Sequence, residues 1–429
     1  MRKVCLCMFV FMLPLFITAC VHDTNYAEFE RMPIYDASVL HQAGYYTPPQ
    51  ESQPQPIETE QQFADSPQTS AQLSQAKFPG RIAMITESRW GANEQYIAAT
   101  GLVEKHGSDK IIHINAPELF GRNRLEYAAT IAEQIIQDSD IRVLIINPAE
   151  NGADDLVSLV WAQRSDIFVI YIEDRYRESS DVSMADLVLG INMLEMNAAF
   201  PAQAQRLGAE AIIFFAIDDC WDGICCSQAR NIIRPKSEAI GLNFVEIFRC
   251  RYTIGCGSSL AMYMTETMPA LIEKYGQNIA FAGLCDERFL WSFPGNGTIY
   301  PTSLIVPPSP QFVAQGLFVP RLRDMALERF FDKNNTALII AETRKALAER
   351  NLLGRISTWP VSANTMLTYA AVEYGIQWMN NEVPQIDLAA LEQIMVGFIA
   401  AYSGEEGLGV TLTRHSQNHI LVFMDFMTY

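Results

Sequence analysis

The sequence predicts an α/β protein of two Rossmann-like lobes, each built on a parallel sheet. Three observations carry this. Short apolar runs recur from Phe78 onward, as expected for strands buried on both faces. Amphipathic stretches of helical period separate them, the pattern of βαβ units. The alternation pauses near residue 192 and then restarts at similar length, which gives two lobes rather than one long sheet.

The elements follow in chain order. Arg2 and Lys3 form a short positive region, residues 4–17 are almost wholly apolar, and Ile17-Thr18-Ala19 lead into Cys20. The apolar run of about 14 residues is shorter than the roughly 20 that a spanning helix needs, so the stretch reads as an export signal. It resembles the lipobox of bacterial lipoproteins. That resemblance implies lipid attachment at Cys20, palmitate among the acyl groups, and a protein anchored at the cell membrane on its extracytoplasmic side. Residues 21–77 are rich in Gln, Pro, Ser and Glu and poor in aliphatic side chains. Such a segment buries too little apolar surface to offset the entropy of ordering, so a tether is expected, with a reach of about 40 Å.

Residues 78–192 are expected to form lobe one. The runs RIAMITE (81–87), KIIHINAP (110–117), RVLIINPA (142–149), DIFVIYIED (166–174) and DLVLGIN (186–192) read as strands. NEQYIAATGLVEKHG, GRNRLEYAATIAEQIIQD and GADDLVSLVWAQR read as helices between them. Residues 193–295 repeat the pattern as lobe two, through AIIFFAID, NFVEIFRC and NIAFAGLC. Residues 296–429, with helical stretches at 336–350 and 363–381, are expected to be shared between the lobes, in an allocation the sequence leaves open.

The chain has 429 residues, 49% of them hydrophobic, enough for two sizeable cores. Its formal net charge is −18, and loss of Arg2 and Lys3 with a signal takes it to about −20. A body so acidic is repelled by nucleic acid and by anionic head groups, so neither is expected as a partner of the folded part.

The order and spacing of these elements over residues 79–290 resemble the type-1 periplasmic binding proteins, the ribose and galactose binders and their repressor relatives. Three segments carry the resemblance. DIFVIYIEDR resembles the family's fourth strand, whose Asp-Arg pair, here Asp174 and Arg175, is aimed at the ligand. LGINMLEMNAAF resembles the crossing into the second lobe, with Asn192 at its start. NIAFAGLCDERF resembles the strand that ends in Asn-Asp, with Asp286 matching the Asp and Cys285 in place of the Asn. The resemblance implies that Asp174 and Arg175 face Asp286 across the cleft. It extends to a group of exported bacterial lipoproteins on this fold. The family's glycine-rich turn has no clear counterpart, with SLIVPPSPQ (303–311) in the nearest place, so ligand chemistry does not carry over from the sugar binders.

In open parallel sheets the ligand crevice lies beyond the carboxyl ends of the strands. The candidate binding residues are therefore Ser88, Arg89 and Trp90 after the first run, Asn147 and Glu150 after the third, and Asp174 and Arg175 after the fourth. Asn192 joins them at the crossing, with Asp218, Asp219, Trp221 and Asp286 in lobe two. An aromatic or a glycine beside a charge suits stacking on a ring while bonding its edge. Helix capping is the competing role for each strand-end Asp or Asn.

Beyond Cys20 the exported chain carries six cysteines: Cys220, Cys225, Cys226, Cys250, Cys256 and Cys285. An even number outside the cytoplasm favours disulfides bracing the lobe-two loops, with buried free thiols as the alternative. Their spacing lacks the paired knuckles of structural zinc, so no metal is expected. His415 and His419 in HSQNH have no glutamate between them and read as a solvated or capping pair. GCGSS (255–259) reads as a helix start, and no nucleophile elbow, P-loop or zinc-peptidase motif is present in the sequence.

Together these readings predict a lipid-tethered solute-binding protein, not an enzyme and without a cofactor. It would take a small polar ligand such as a sugar or nucleoside and pass it to an ABC permease. A ligand-sensing or surface-interaction lipoprotein is the alternative, and a secreted hydrolase on the same scaffold is the third.

Overall fold

The computed structural model describes residues 78–86, 93–116, 119, 124–149, 152–173, 184–217, 224–249, 269–282, 303–306, 310, 336–349 and 351–429. The expected signal and tether, with Cys20, lie outside them.

Two sheets organise these residues. The first contains β1 (Arg81–Thr86), β2 (Ile111–Asn115), β3 (Ile141–Asn147), β4 (Phe168–Glu173) and β5 (Leu187–Ile191), joined by β11 (Val410–Arg414) and β12 (His419–Met424), in the order β11-β12-β5-β4-β3-β1-β2. The second contains β6 (Ala211–Ile217), β7 (Asn243–Arg249), β8 (Ile279–Ala282), β9 (Ser303–Val306), β10 (Ile356–Thr358) and β13 (Met427–Thr428), in the order β13-β10-β9-β8-β6-β7. All pairings are parallel except β11 with β12 and β10 with β13. Strand pairing thus divides the C-terminal segment, sending β9, β10 and β13 to the second sheet and β11 and β12 to the first.

The unbroken apolar runs follow from burial on both faces. Along β1, Ile82 and Met84 enter one core while Ala83 and Ile85 enter the other. Helices α2 (Arg124–Gln137) and α3 (Ala153–Trp161) cover the second of these faces, through Ile131, Ile135, Leu156 and Val160. The first face packs under α1 (Asn93–His106), α7 (Ala363–Met379) and α8 (Leu388–Ser403). Leu367, Ala370, Ala371 and Tyr374 of α7 are all fully buried, so this helix is a core element, apolar on nearly every side. Lys105 fastens α1 to α7, reaching Glu373 Oε1 at 2.7 Å and Tyr369 Oη at 3.1 Å.

The second sheet packs on α4 (Met193–Arg206) and α5 (Ile224–Ala239), with Phe200, Ala204, Phe214, Ile233 and Ala280 in one core. Gln203 of α4 donates to Ser357 Oγ at 2.9 Å, and Ser357 donates to the Met427 carbonyl at 2.6 Å, which pins the helix to the β10–β13 edge. Helix α6 (Thr336–Ala348) lies in sequence between β9 and β10, neighbouring strands of this sheet.

Among the described residues the chain passes between the lobes three times, at Asn192 between β5 and α4, at residues 359–362 between β10 and α7, and at residues 425–426 between β12 and β13. Trp359 in the second crossing is 1% exposed and meets Phe423 edge-on at 6.4 Å. Phe426 in the third packs against the cores of both lobes.

Candidate functional site

Polar side chains gather where the central strands of the first sheet end. The register places Asn115, Thr86 and Asn147 side by side at the carboxyl ends of β2, β1 and β3. The layer below them, Ile114, Ile85 and Ile146, is wholly apolar, and α7 reaches the row through Thr368 in its second turn. Thr86 Oγ1 lies 2.7 Å from His113 Nε2, and the Tyr96 ring stands 5.1 Å from that imidazole. Burial lowers the pKa of His113, which keeps it neutral at physiological pH.

Asn147 is the most constrained member of the row. Its side chain is inaccessible to solvent and donates from Nδ2 to Thr368 Oγ1 at 2.7 Å. Thr368 spends its single proton on the Asn364 carbonyl at 2.6 Å, so its oxygen can only accept from Asn147. That fixes the amide orientation and leaves Asn147 Oδ1 as a buried acceptor with no hydrogen-bond partner. A buried acceptor left unpaired costs about 1–3 kcal/mol, so it is retained where something else satisfies it.

The start of α7 supplies the next groups. Ser362 caps the helix by accepting from the Thr365 N–H at 3.2 Å, and its hydroxyl donates to Glu94 Oε2 in the first turn of α1 at 2.6 Å. Two helix N-termini therefore hold one carboxylate between them, a placement their dipoles favour. Asn364 Oδ1, in the first turn of α7, is also buried without a partner. The sequence flagged Asn147 from its strand-end position. Glu94 falls within SRWGANEQ (88–95), the loop after the first run, but was not singled out there, and nothing pointed to Asn364 or Thr368, although Ser362 ahead of an apolar run is an N-cap signal.

The other expected site residues fare differently. Asn192 caps α4, accepting from the Glu195 N–H at 3.0 Å, while its Nδ2 lies 3.5 Å from Thr413 Oγ1. Its amide is thereby occupied in holding the first crossing. Ser88, Arg89, Trp90, Glu150, Asp174 and Arg175 lie outside the described residues, as do Asp218, Asp219, Trp221 and Asp286. So do Cys220, Cys250, Cys256 and Cys285, while Cys225 and Cys226 fall in the first turn of α5. Among the described residues no group of three His, Cys, Asp or Glu side chains could hold a metal ion, and no helix is long and apolar enough to cross a membrane.

The histidine pair departs from expectation. His415 is exposed, but His419 opens β12 and is 4% exposed, because its ring turns into the sheet face instead of toward solvent. There His419 Nε2 lies 3.4 Å from Glu173 Oε2 at the end of β4, with both side chains 5% exposed. Gly190 of the strand between them makes the approach possible, since a Cβ there would sit 3.0 Å from His419 Nε2. Burial, and secondarily the neighbouring His415, pushes His419 down to about 4, so the imidazole is neutral at pH 7. Glu173 directly precedes Asp174 and Arg175.

A family model described as a protein of unknown function, DUF3798, matches residues 81–290. No curated protein matches the chain in sequence. Among solved structures, one described as a candidate transcriptional regulator from Clostridium difficile 630 superposes with a TM-score of 0.70 at 17% identity, covering 82% of this chain and 99% of that one. A sugar ABC transport substrate-binding protein from Bordetella parapertussis 12822 matches with a TM-score of 0.41 at 11% identity, covering 82% and 90%. A periplasmic ribose ABC transporter protein from Conexibacter woesei DSM 14684 gives 0.38 at 13% identity, covering 82% and 93%.

Proposed function

We propose that this chain, which has the fold of the type-1 periplasmic binding proteins, is a lipid-tethered solute-binding protein that takes a small polar ligand between its lobes and delivers it to an ABC permease. The observation that carries the reading is the buried acceptor Asn147 Oδ1, held in one orientation by Thr368 at the end of β3. An oriented, desolvated acceptor suits a ligand hydroxyl or amine, because it loses no side-chain freedom on binding. Glu94 is a carboxylate held by Ser362 at the start of α7, the same helix that orients Asn147, which favours a polyhydroxyl or amino ligand over an anion.

On this reading Asp174 and Arg175 would contact the same ligand from lobe one and Asp286 from lobe two, so that affinity is coupled to closure. The signal sequence and the tether after Cys20 supply the anchoring part of the proposal. Mass spectrometry of small molecules released on denaturing the purified protein tests it. The expected result is one polar solute carrying hydroxyl or amino groups, near one per chain. No released solute, together with no thermal stabilisation by a panel of sugars, nucleosides and amino acids, would refute it.

A further inference from the structure

The strand order puts a contact between the lobes on the side of the crossings away from the strand-end row. In the first sheet the crossings leave from β5 and β12, with β4, β3, β1 and β2 on one side and β11 on the other. In the second sheet β10 and β13, which carry two of the crossings, form the matching edge. Helix α8 packs on β11 and ends at Gly404, whose left-handed φ of 70° turns the chain sharply. The Ser403 hydroxyl accepts from the Glu405 N–H at 3.0 Å and fixes that turn. Glu405 Oε1 then accepts from Arg344 Nη1 of α6 at 2.6 Å, with the side chains 22% and 38% exposed. A Cβ on Gly404 would lie 3.9 Å from Ala337 at the start of α6, so the two backbones approach closely. Arg344 also faces the negative end of α8, an added attraction. Tyr429, the last residue, is 5% exposed, has a phenolic oxygen without a partner, and lies within the field of both charges.

We propose that this α6–α8 contact is a strut behind the hinge that opposes closure of the lobes. A rotation about the crossings that brings the loops after β1–β4 toward those after β6–β9 carries groups on the opposite side of the axis apart. Closure therefore breaks the Arg344–Glu405 pair, and the pair weights the equilibrium toward the open form. The lobes are then held open until a ligand outweighs the strut, which sets the affinity of the cleft from outside it.

The inference rests on the two-lobe reading above but not on any ligand. The experiment uses the full chain with ketone-bearing residues introduced at Leu125, 63% exposed in α2, and at Ile240, 37% exposed after α5, each coupled to a spin label so that the cysteines are untouched. Pulsed dipolar spectroscopy, with no solute added, gives the distribution of distances between the lobes. Glu405→Gln should raise the ratio of short to long distances about two- to fivefold, the effect of one half-exposed ion pair. The charge swap Arg344→Glu with Glu405→Arg should return it toward wild type. An unchanged or longer distribution in E405Q, or a swap that does not restore it, overturns the strut. Should E405Q lose its fold by circular dichroism, Ala337→Trp, a wedge at an exposed position, reads the same ratio with the same expected rise, and no rise overturns the proposal. Absence of any bound solute would sink the proposed function and leave this measurement standing.

Discussion

At the ends of β1 and β3 the buried polar groups are neutral and chained, Thr86 to His113 and Asn147 through Thr368 to the Asn364 carbonyl. Farther along the same edge, Glu173 and His419 are ionisable and only adjacent, at 3.4 Å over Gly190. The two arrangements place their cost differently. A neutral amide with one free acceptor costs the same at every pH and is repaid by a ligand donor. A buried imidazole is cheap only while it stays neutral, so its cost depends on pH. The first arrangement suits recognition. The second suits holding β4, β5 and β12 together beside the crossings.

The largest expected effect breaks this contrast with acid. The folded value of His419, about 4, lies below the unfolded value of about 6.5. Its stabilising contribution is therefore complete above pH 6.5 and is lost as pH falls through 4, a total of about 2–4 kcal/mol. Urea unfolding at pH 7.5, 5.5 and 4 should show this decline, and His419→Asn should flatten it. An equal slope in the variant would place the acid sensitivity elsewhere.

Next in size is Thr368→Val, which removes the hydroxyl that orients Asn147 and leaves a buried amide N–H unpaired. The expected loss is about 1–3 kcal/mol in unfolding free energy. It should come with weaker solute retention, which no change at Glu173 and His419 that preserves the fold should produce. Gly190→Ala sharpens the other side, because the new methyl meets His419 Nε2 at 3.0 Å and Leu421 Cδ2 at 3.3 Å. Crowding there should cost about 1–3 kcal/mol and leave solute retention intact. The smallest effect belongs to Arg124→Ala, which removes a pair with Asp155 whose side chains are 49% and 37% exposed. Less than about 1 kcal/mol is expected, and differential scanning calorimetry should place it within a few degrees of wild type.

The βαβ alternation was legible because β1 to β5 announce themselves locally, as in IAMI (82–85) or FVIYI (168–172), where every residue is apolar and successive side chains serve two cores. In the C-terminal segment the helical stretches at 336–350 and 363–381 were legible and match α6 and α7, but the allocation between the sheets was not, because it depends on pairing across the chain. The three residues of β10 find β9 on one side and β13 on the other, and no local period marks so short a strand. Helix α8 was missed for a related reason. LAALEQIMVGFIAAYS has apolar residues on most faces, and the sequence does not say which of them α7 covers. Asn147 was legible by position, but the partner that orients it lies 221 residues away. His419 misled because its neighbours Ser416, Gln417 and Asn418 are polar, whereas its own side chain alternates inward with Leu421.

The central claim is that the acceptor at the end of β3 is completed by a ligand. Once the released solute is identified, titration calorimetry on wild type and Asn147→Ala measures it directly. Loss of one buried, oriented hydrogen bond should lower affinity roughly 10- to 100-fold while circular dichroism and the unfolding profile keep the fold. Wild-type affinity in a folded Asn147→Ala protein would contradict the account.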